Sequence, residues 1–309
     1  MTKVLVGITT YKRPRMLERL LRAIENFQTD AVVSVVVADN DSEEQQGVKI
    51  VKALSDSGYR FGLDSLLVEG RGFTYGRNAI LNFGFSDPSI DFIAIMDDDQ
   101  RPVPLWLNEM IKIQLVTKAD VVGAAVWPEF EMCPPRWATT SKVYKRNTTI
   151  TGQVDILTGD GGILVSSNFT SVLPSPWYDH KFAMTGGADV DLFIRLRAAG
   201  GKFARAADAV IYESYPPSRV NLRWALARAY RVGNTNMRLT LRHSSTIGRM
   251  SLEGVKIVAA LIGGPIVAIL FLWSPGRCVD ALCKIGQAAG KVAALKGSYF
   301  NEYQTIHGS

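Results

Sequence analysis

Three cysteines in 309 residues, Cys133, Cys278 and Cys283, are too few and too irregularly spaced for a zinc site or an even disulfide framework. They read as reduced thiols, buried or at the surface. The opening residues lack the pattern of a signal peptide: one early lysine leads straight into a strand-like run, with no apolar stretch and small-residue cleavage site. The body of the chain is therefore expected in the cytoplasm. There is no internal repeat and no low-complexity tract. At 47% apolar and 21% charged residues, the composition excludes a disordered, collagen-like or disulfide-dense chain. The length allows one large or two smaller domains with a sizeable core. Acidic residues are scarce at one end only. Residues 215–309 hold 12 Lys and Arg against 3 acids, whereas residues 1–214 hold 23 against 26. A basic tail behind a mildly acidic body points to a polyanion or a membrane surface meeting the tail. The basic residues flank an apolar stretch and not an aromatic-studded groove, so nucleic acid is not an expected partner.

What is present is alternation. Residues 4–8 form a short β-branched run, and Pro14 suits the start of a helix in which Met16, Leu17, Leu20, Leu21 and Ile24 recur at helical spacing. The apolar runs at 32–37 and 92–96 fit buried parallel strands. Further strands are expected at 66–68, 120–126, 163–165 and 209–212, and helices at 43–54, 104–116, 187–200 and 222–241. This order predicts an α/β fold with a mostly parallel central sheet flanked by helices. Residues 127–162, rich in Pro, Thr and aromatics, read as an excursion beside the sheet. Residues 257–273 carry no charge over 17 positions, the lower limit for a membrane-spanning helix. Gly263-Gly264-Pro265 interrupts that run, and Trp273 suits an interface. Basic residues flank it on both sides, which fits a broken helix that dips in and returns; the alternative is a buried core helix. Residues 279–295 read as a surface-lying amphipathic helix.

The chemistry concentrates in carboxylates at strand and helix ends. Asp97-Asp98-Asp99 follows a hydrophobic strand directly, where ligands of open α/β sheets collect. In extended backbone Asp97 and Asp99 point to one side. Two such carboxylates suit a hard divalent ion, Mg2+ or Mn2+, neutralising a diphosphate leaving group. Taken alone, a D-x-D is more often a solvated acidic turn. Asp39 also follows a strand end, as an acceptor for a nucleotide or as the cap of the next helix. Arg77 closes a glycine-rich basic loop, either clamping a phosphate or facing solvent. Asp189 and Asp191 follow two glycines at a helix start. One of them can serve as a general base for an alcohol attacking a sugar carbon, or both complement the helix dipole. Asp160, between glycines, is a contact for a sugar or acceptor hydroxyl or a turn aspartate.

Together and in this order, these residues resemble the family 2 glycosyltransferases, inverting enzymes of the GT-A fold, over residues 3–235. Thr9, Tyr11 and Arg13 are similar to the family's first nucleotide-contacting loop. Asp39-Asn40-Asp41-Ser42 is similar to the turn whose first Asp holds uracil. Gly72 with Arg77-Asn78 resembles the segment near the diphosphate, with Gly76 where Ala is usual. Asp97-Asp98-Asp99 matches the metal-binding D-x-D, which implies Asp97 and Asp99 on the metal and Asp98 beside the nucleotide sugar. Ala188-Asp189-Val190-Asp191-Leu192 resembles E-D-x-D-L, whose second residue is the base, here Asp189, with Ala188 in place of Glu. Glu213, Asp160, Asp191, Arg223 and Trp224 are secondary or acceptor-side candidates. Processive members carry Q-x-x-R-W; here Val220 stands at the Gln position before Arg223-Trp224, which implies transfer of a single sugar. Pro216-Pro217-Ser218-Arg219 and residues 228–234 resemble the bacterial succinoglycan-type exopolysaccharide enzymes.

The resemblance implies β-glucose transfer from UDP-glucose to a lipid-diphosphate-linked oligosaccharide at the cytoplasmic face of the inner membrane. It also implies a GT-A catalytic domain over 1–240 and a basic, hydrophobic, membrane-associating region over 241–309. A sugar nucleotidyltransferase would carry a glycine-rich loop after the first strand, and residues 9–14 contain no glycine. A non-catalytic membrane-bound nucleotide-sugar binder could keep Asp39 and Asp97 but would not need Asp189.

Overall fold

The computed structural model describes residues 1–145, 149–158 and 161–301. Strands β1 (Lys3–Thr10), β2 (Val32–Asp39) and β3 (Gly62–Leu67) alternate with helices α1 (Pro14–Glu25), α2 (Gln46–Asp56) and α3 (Phe73–Phe85). β4 (Phe92–Asp97), a two-residue turn and β5 (Gln100–Pro102) lead to α4 (Trp106–Thr117) and β6 (Val121–Phe130). The excursion holds α5 (Arg136–Thr140) and β7 (Gly152–Val154). β8 (Ile163–Ser166), α6 (Phe169–Val172), α7 (Ala188–Ala198) and β9 (Phe203–Tyr215) complete the α/β body. Three helices follow: α8 (Leu222–His243), α9 (Ile247–Leu270) and α10 (Pro275–Leu295).

Among the described residues nine strands form one sheet in the order β3-β2-β1-β4-β8-β6-β9-β5, with β7 also on β9. The apolar runs account for the parallel block β3-β2-β1-β4. β1, β2 and β4, buried on both faces, show no polar alternation, whereas the edge strand β3 has no buried residue. Val4, Val6 and Ile8 pack with Leu17 and Leu20 of α1 on one side, while Leu5 packs with Ile80 and Leu81 of α3 on the other. Beyond β4 the sheet is mixed. β8 runs antiparallel to β4 and β6, and β6 pairs parallel with β9. The strand expected at 209–212 is the middle of the 13-residue β9. Its first half, alanine-rich with Arg205 and Asp208, has little intrinsic strand signal and is held by pairing with β6 and β7.

The tail departs from its expected broken shape. α9 runs unbroken through Gly263-Gly264-Pro265 for 24 residues, about 36 Å at the helical rise. Only 22% of its apolar window is buried, which removes the buried-core alternative. By length and composition it suffices to cross a bilayer. α10, expected to lie on a surface, instead packs closely on α8. A Cβ on Gly233 would sit 2.0 Å from the Gln287 carbonyl oxygen, and one on Gly290 would sit 2.0 Å from that of Tyr230. The buried Asn234 amide fastens the seam by donating to the carbonyls of Gly290 (3.1 Å) and Ser298 (2.8 Å).

Gly233→Ala and Gly290→Ala are each expected to lower stability by about 1–3 kcal/mol, because backbone must move to admit the methyl group. Gly254→Ala meets open space and is expected to raise stability by up to about 1 kcal/mol. Thermal unfolding of the three variants in one detergent checks the contrast.

Candidate active site

Three parallel strands end side by side where the acids lie. In register, Thr9 pairs with Asp97 and Thr10 with Asp39, so one edge of the sheet collects the carboxyl ends of β1, β2 and β4. A cleft of about 650 Å³ opens there. Thr9, Tyr11 and Arg13 line it from the loop after β1, Arg77 from α3 and Asp189 from the start of α7. Asp97, Asp98, Asp99, Glu213 and Trp224 complete its polar wall.

Each aspartate of the triplet has its own guanidinium. Arg77 Nη2 donates to Asp97 Oδ1 (2.8 Å), Arg13 Nη1 to Asp98 Oδ1 (2.9 Å) and Arg219 Nη1 to Asp99 Oδ2 (2.9 Å). The hydroxyls of Thr9 and Thr10 donate to Asp97 Oδ1 (3.3 Å) and Asp98 Oδ2 (2.9 Å). The strand stops at Asp97, and Asp98-Asp99 form a turn. The expected pleat therefore does not run through the triplet; the turn brings all three acids to the cleft.

Arg77 is the centre of the arrangement. It is 3% exposed, which removes the solvent-facing alternative. Besides Asp97, its Nη1 donates to Asp189 Oδ1 (2.5 Å) and to the Tyr178 hydroxyl (3.4 Å). Its guanidinium also lies 5.5 Å from the ring centroids of Phe73 and Tyr178. Burial opposes its charge, but Asp189 and Asp97 outweigh burial and raise its pKa well above the usual range. One cation therefore joins the D-x-D segment to the acid at the start of α7.

The carboxylates differ in their electrostatics. Burial alone would raise Asp97, but Arg77 outweighs it and holds the group below the ordinary carboxylate range. Asp98 is raised, because burial outweighs Arg13. Asp99 is pushed up to about 6 by burial; Arg219 opposes the shift, and Glu213 and Asp98 add to it.

Among the described residues no three His, Cys, Asp or Glu side chains form a ready-made cation site. The donor set nonetheless fits a hard divalent ion that brings diphosphate oxygens with it. Both hydrogen bonds to the Asp97 side chain land on Oδ1, leaving Oδ2 without a partner among the described residues. Burial is the main cause of the upward shift of Asp99, with Glu213 and Asp98 adding to it, and a bound cation would oppose that shift. One or two carboxylates completed by substrate oxygens is a usual arrangement for Mg2+.

Other candidates fall elsewhere. Asp39 is fully buried and does not line the cleft. Its Oδ1 accepts from the Asp41 N–H (2.9 Å) and its Oδ2 from the Val48 N–H (3.1 Å), so it caps the start of α2. Burial raises its pKa, although these N–H groups oppose the shift. Its neighbour Asn40 lines the cleft and donates to the Gly70 carbonyl (2.6 Å), pinning the glycine-rich loop. Asp191 is not beside Asp189, because residues two apart on a helix lie about 200° apart. It is fully buried on the other face, where Arg195 (2.9 Å), Arg242 (3.1 Å) and His243 (2.8 Å) hold it. Arg223 is exposed and outside the cleft lining, whereas Trp224 lines the cleft and stacks on Tyr144 at 5.9 Å. Asp160 lies outside the described residues.

The departures from the family pattern have packing reasons. A Cβ on Gly76 would meet Asn40 Oδ1 at 2.8 Å and Thr9 Cγ2 at 3.0 Å. Ala188 is fully buried in the core, and Val220 packs against an aromatic cluster with Tyr144 and Tyr215. Sequence reasoning missed Arg219 as the partner of Asp99 and Tyr178 as a partner of Arg77. These pairs are 120 and 101 residues apart, beyond any local pattern.

Comparison with known proteins bears on the family and the fold. The Glycosyl transferase family 2 model matches residues 5–167. The succinoglycan biosynthesis protein ExoM of Rhizobium meliloti (strain 1021) is 29% identical over 245 residues, covering 76% of this chain and 74% of that protein. A mannosyltransferase from Pyrobaculum calidifontis, solved with GDP-Man and Mn2+, superposes with a TM-score of 0.62 at 17% identity, over 94% of this chain and 86% of that one. GalNAc-T7, solved with UDP, GalNAc and Mn2+, gives 0.55 at 11% identity over 78% of this chain; the match spans 48% of that structure.

Replacing Arg77 by Met strands two carboxylates. A buried pair loses about 3–5 kcal/mol in this way. Solvent reaches both acids from the cleft, so a stability loss of about 3 kcal/mol at neutral pH is expected. Asp97 is depressed in the folded state, so its pairing stabilises at neutral pH and is lost as pH falls through the folded-state pKa. The difference between wild type and Arg77→Met is therefore expected to shrink below about pH 4. Denaturant unfolding at pH 7 and pH 3.5 measures it.

Proposed function

The chain belongs to glycosyltransferase family 2, and from that premise we propose that it transfers one glucose from UDP-glucose, with inversion, to a lipid-diphosphate-linked oligosaccharide in bacterial exopolysaccharide synthesis. The observation that carries this reading is Arg77, which joins donor-side Asp97 to acceptor-side Asp189 within one cleft. The donor lies across the strand ends with its diphosphate toward Arg77 and the triplet. Asp97 and Asp99 hold Mg2+ or Mn2+, which when bound supplies charge neutralisation for the departing UDP. Asp98, fixed by Arg13 and Thr10, keeps the loop after β1 against the triplet. Asp39 acts from behind, fixing the turn that carries Asn40 to the nucleotide edge.

Asp189 takes the proton of the acceptor hydroxyl. The oxygen attacks C1 of the sugar from the face opposite the diphosphate, the C1–O bond to UDP breaks, and the configuration at C1 inverts. Trp224, Arg228 and Arg231 form the acceptor wall, with Glu213 between the acceptor and Asp99. The GDP-Man, UDP and Mn2+ in the solved relatives support a nucleotide-sugar donor and a divalent ion. The similarity to ExoM supports the exopolysaccharide context. Residues 241–309 serve as the membrane-associating region behind a catalytic domain of residues 1–240. The apolar α9 and the basic tail support a seat on the cytoplasmic face of the inner membrane. There each Lys or Arg near an anionic surface contributes about 1 kcal/mol.

Membranes containing the protein, incubated with radiolabelled UDP-glucose and lipid-linked acceptor, test the base. Asp189→Asn is expected to lower incorporation by about 10²–10⁴-fold while UDP binding persists; unchanged incorporation would overturn the assignment. In a parallel screen of UDP-glucose, UDP-galactose and UDP-N-acetylglucosamine, the highest incorporation is expected from UDP-glucose.

A further inference from the structure

A second cavity of about 330 Å³ lies where α7, α8, α9 and α10 meet. Val190 and Asn236 line both it and the catalytic cleft. Val190 directly follows Asp189, so the second cavity borders the cleft on the side of Asp189, with Val190 and Asn236 between them. Its outer wall is basic. Arg249 and Lys256 of α9 and Lys291 of α10 line it, against a single carboxylate, Glu253. That acid is 5% exposed and paired with both lysines, at 2.8 Å to Lys256 and 2.5 Å to Lys291. His243, also in the lining, is engaged with Asp191. Arg249 is exposed, and among the described residues its guanidinium has no partner; only its backbone N–H bonds, to Thr246 Oγ1 (3.4 Å). Three cations against one anion leave the groove with net positive charge facing open space.

The same α9 carries an exposed apolar stripe. Leu252, Val255, Val258, Ile262, Ile266 and Ile269 are 47%, 65%, 55%, 66%, 56% and 66% exposed, and they recur at three- and four-residue spacing on one face. By helical geometry the stripe is centred about 130° around α9 from Arg249, Lys256 and Glu253, and the two meet along one edge, where Leu252 adjoins Lys256; the cationic groove in turn borders the cleft that holds the general base. A molecule with an alkyl chain, a phosphate and a sugar hydroxyl in that order matches all three.

We propose that the groove formed by Arg249, Lys256 and Lys291 holds the phosphate of a lipid-phosphate-linked acceptor, with its apolar chain along α9 and its terminal sugar at Asp189. This deepens the preceding functional reading and rests on it for the acceptor's position. Guanidinium and ammonium groups recognise phosphate oxygens by charge-assisted hydrogen bonds. Lys291 anchors Glu253, and Lys256 and Arg249 remain toward the groove mouth.

Farnesyl diphosphate, inorganic pyrophosphate and farnesol are the probes, titrated against the full chain in phosphatidylcholine nanodiscs. Farnesyl diphosphate is expected to bind more tightly than either of the other two. The double variant Arg249→Gln, Lys256→Gln is expected to weaken it by about tenfold or more, the cost of losing a charge-assisted contact. Lys291 is kept so that Glu253 stays paired, and an unchanged melting temperature verifies folding. Lys296→Gln, an exposed charge outside the groove, is expected to leave binding unchanged. In the transfer assay the double variant is expected to raise KM for the lipid acceptor and leave kcat close to wild type.

Farnesyl diphosphate binding that is indifferent to the double variant overturns the proposal. So does pyrophosphate binding as tightly as farnesyl diphosphate, which would make the groove a site for free phosphate. Groove-dependent binding with no transfer to any lipid acceptor would retain the site and reject the functional reading. Transfer that depends on Asp189 with an unaltered acceptor KM would do the reverse.

Discussion

Three consecutive carboxylates at the end of a buried strand repel one another and resist leaving water. The fold tolerates Asp97, Asp98 and Asp99 because Arg77, Arg13 and Arg219 each meet one of them. Those arginines come from the third helix, the loop after the first strand and the segment before α8. Cluster formation therefore requires distant parts of the chain to be in place together. The compensation is uneven: Asp97 is depressed and Asp99 raised. The site is thus a charge network in which Arg77 holds Asp97 down while burial, more than its neighbours, holds Asp99 up.

Much of this was legible from sequence, and the reasons are specific. Continuous apolar runs gave the parallel block because strands covered on both faces need no polar alternation, and the helical spacing of Met16 to Ile24 gave the buried face of α1. The triplet, Arg77 and Asp189 stood out in the sequence by their places at or near strand and helix ends, and the structure brings them to one cleft. Asp191 was misplaced because the helical period separates it from Asp189. Asp39 carried two readings, a nucleotide acceptor and a cap for the next helix, and its carboxylate is used by N–H groups at the start of α2. Arg219 and Tyr178 carry no local signal; only the tertiary fold brings them to Asp99 and Arg77. Pairing with β6 lengthened β9 beyond its own propensity. In the tail, Gly263-Gly264-Pro265 read as a break, yet α9 continues through it, with Gly264 giving close approach to Ile285.

The departures from the family pattern follow one logic. Gly76 leaves room for Asn40, and Ala188 and Val220 fill space where the resembled motifs carry Glu and, in processive members only, Gln. Among the acids of these motifs, Asp97 and Asp189 are the two that share Arg77. Loss of a carboxylate at 188 leaves Asp189 as the acid at the start of α7 that faces the cleft, so its position is defined by one guanidinium and one helix start.

The glycine seam between α8 and α10 sets a mechanical relation. Val232 of α8 lines the cleft, and the next residue, Gly233, touches the backbone of α10. With no side chain to act as a cushion, the two helices move as one strut, and α10 packs in turn on α9. A tilt imposed on α9 from outside is transmitted without slack to the wall that carries Trp224 and Arg228. Under the proposed function, whatever surface seats α9 would thereby fix the standoff of the cleft mouth, and with it which hydroxyl of a tethered chain could reach Asp189.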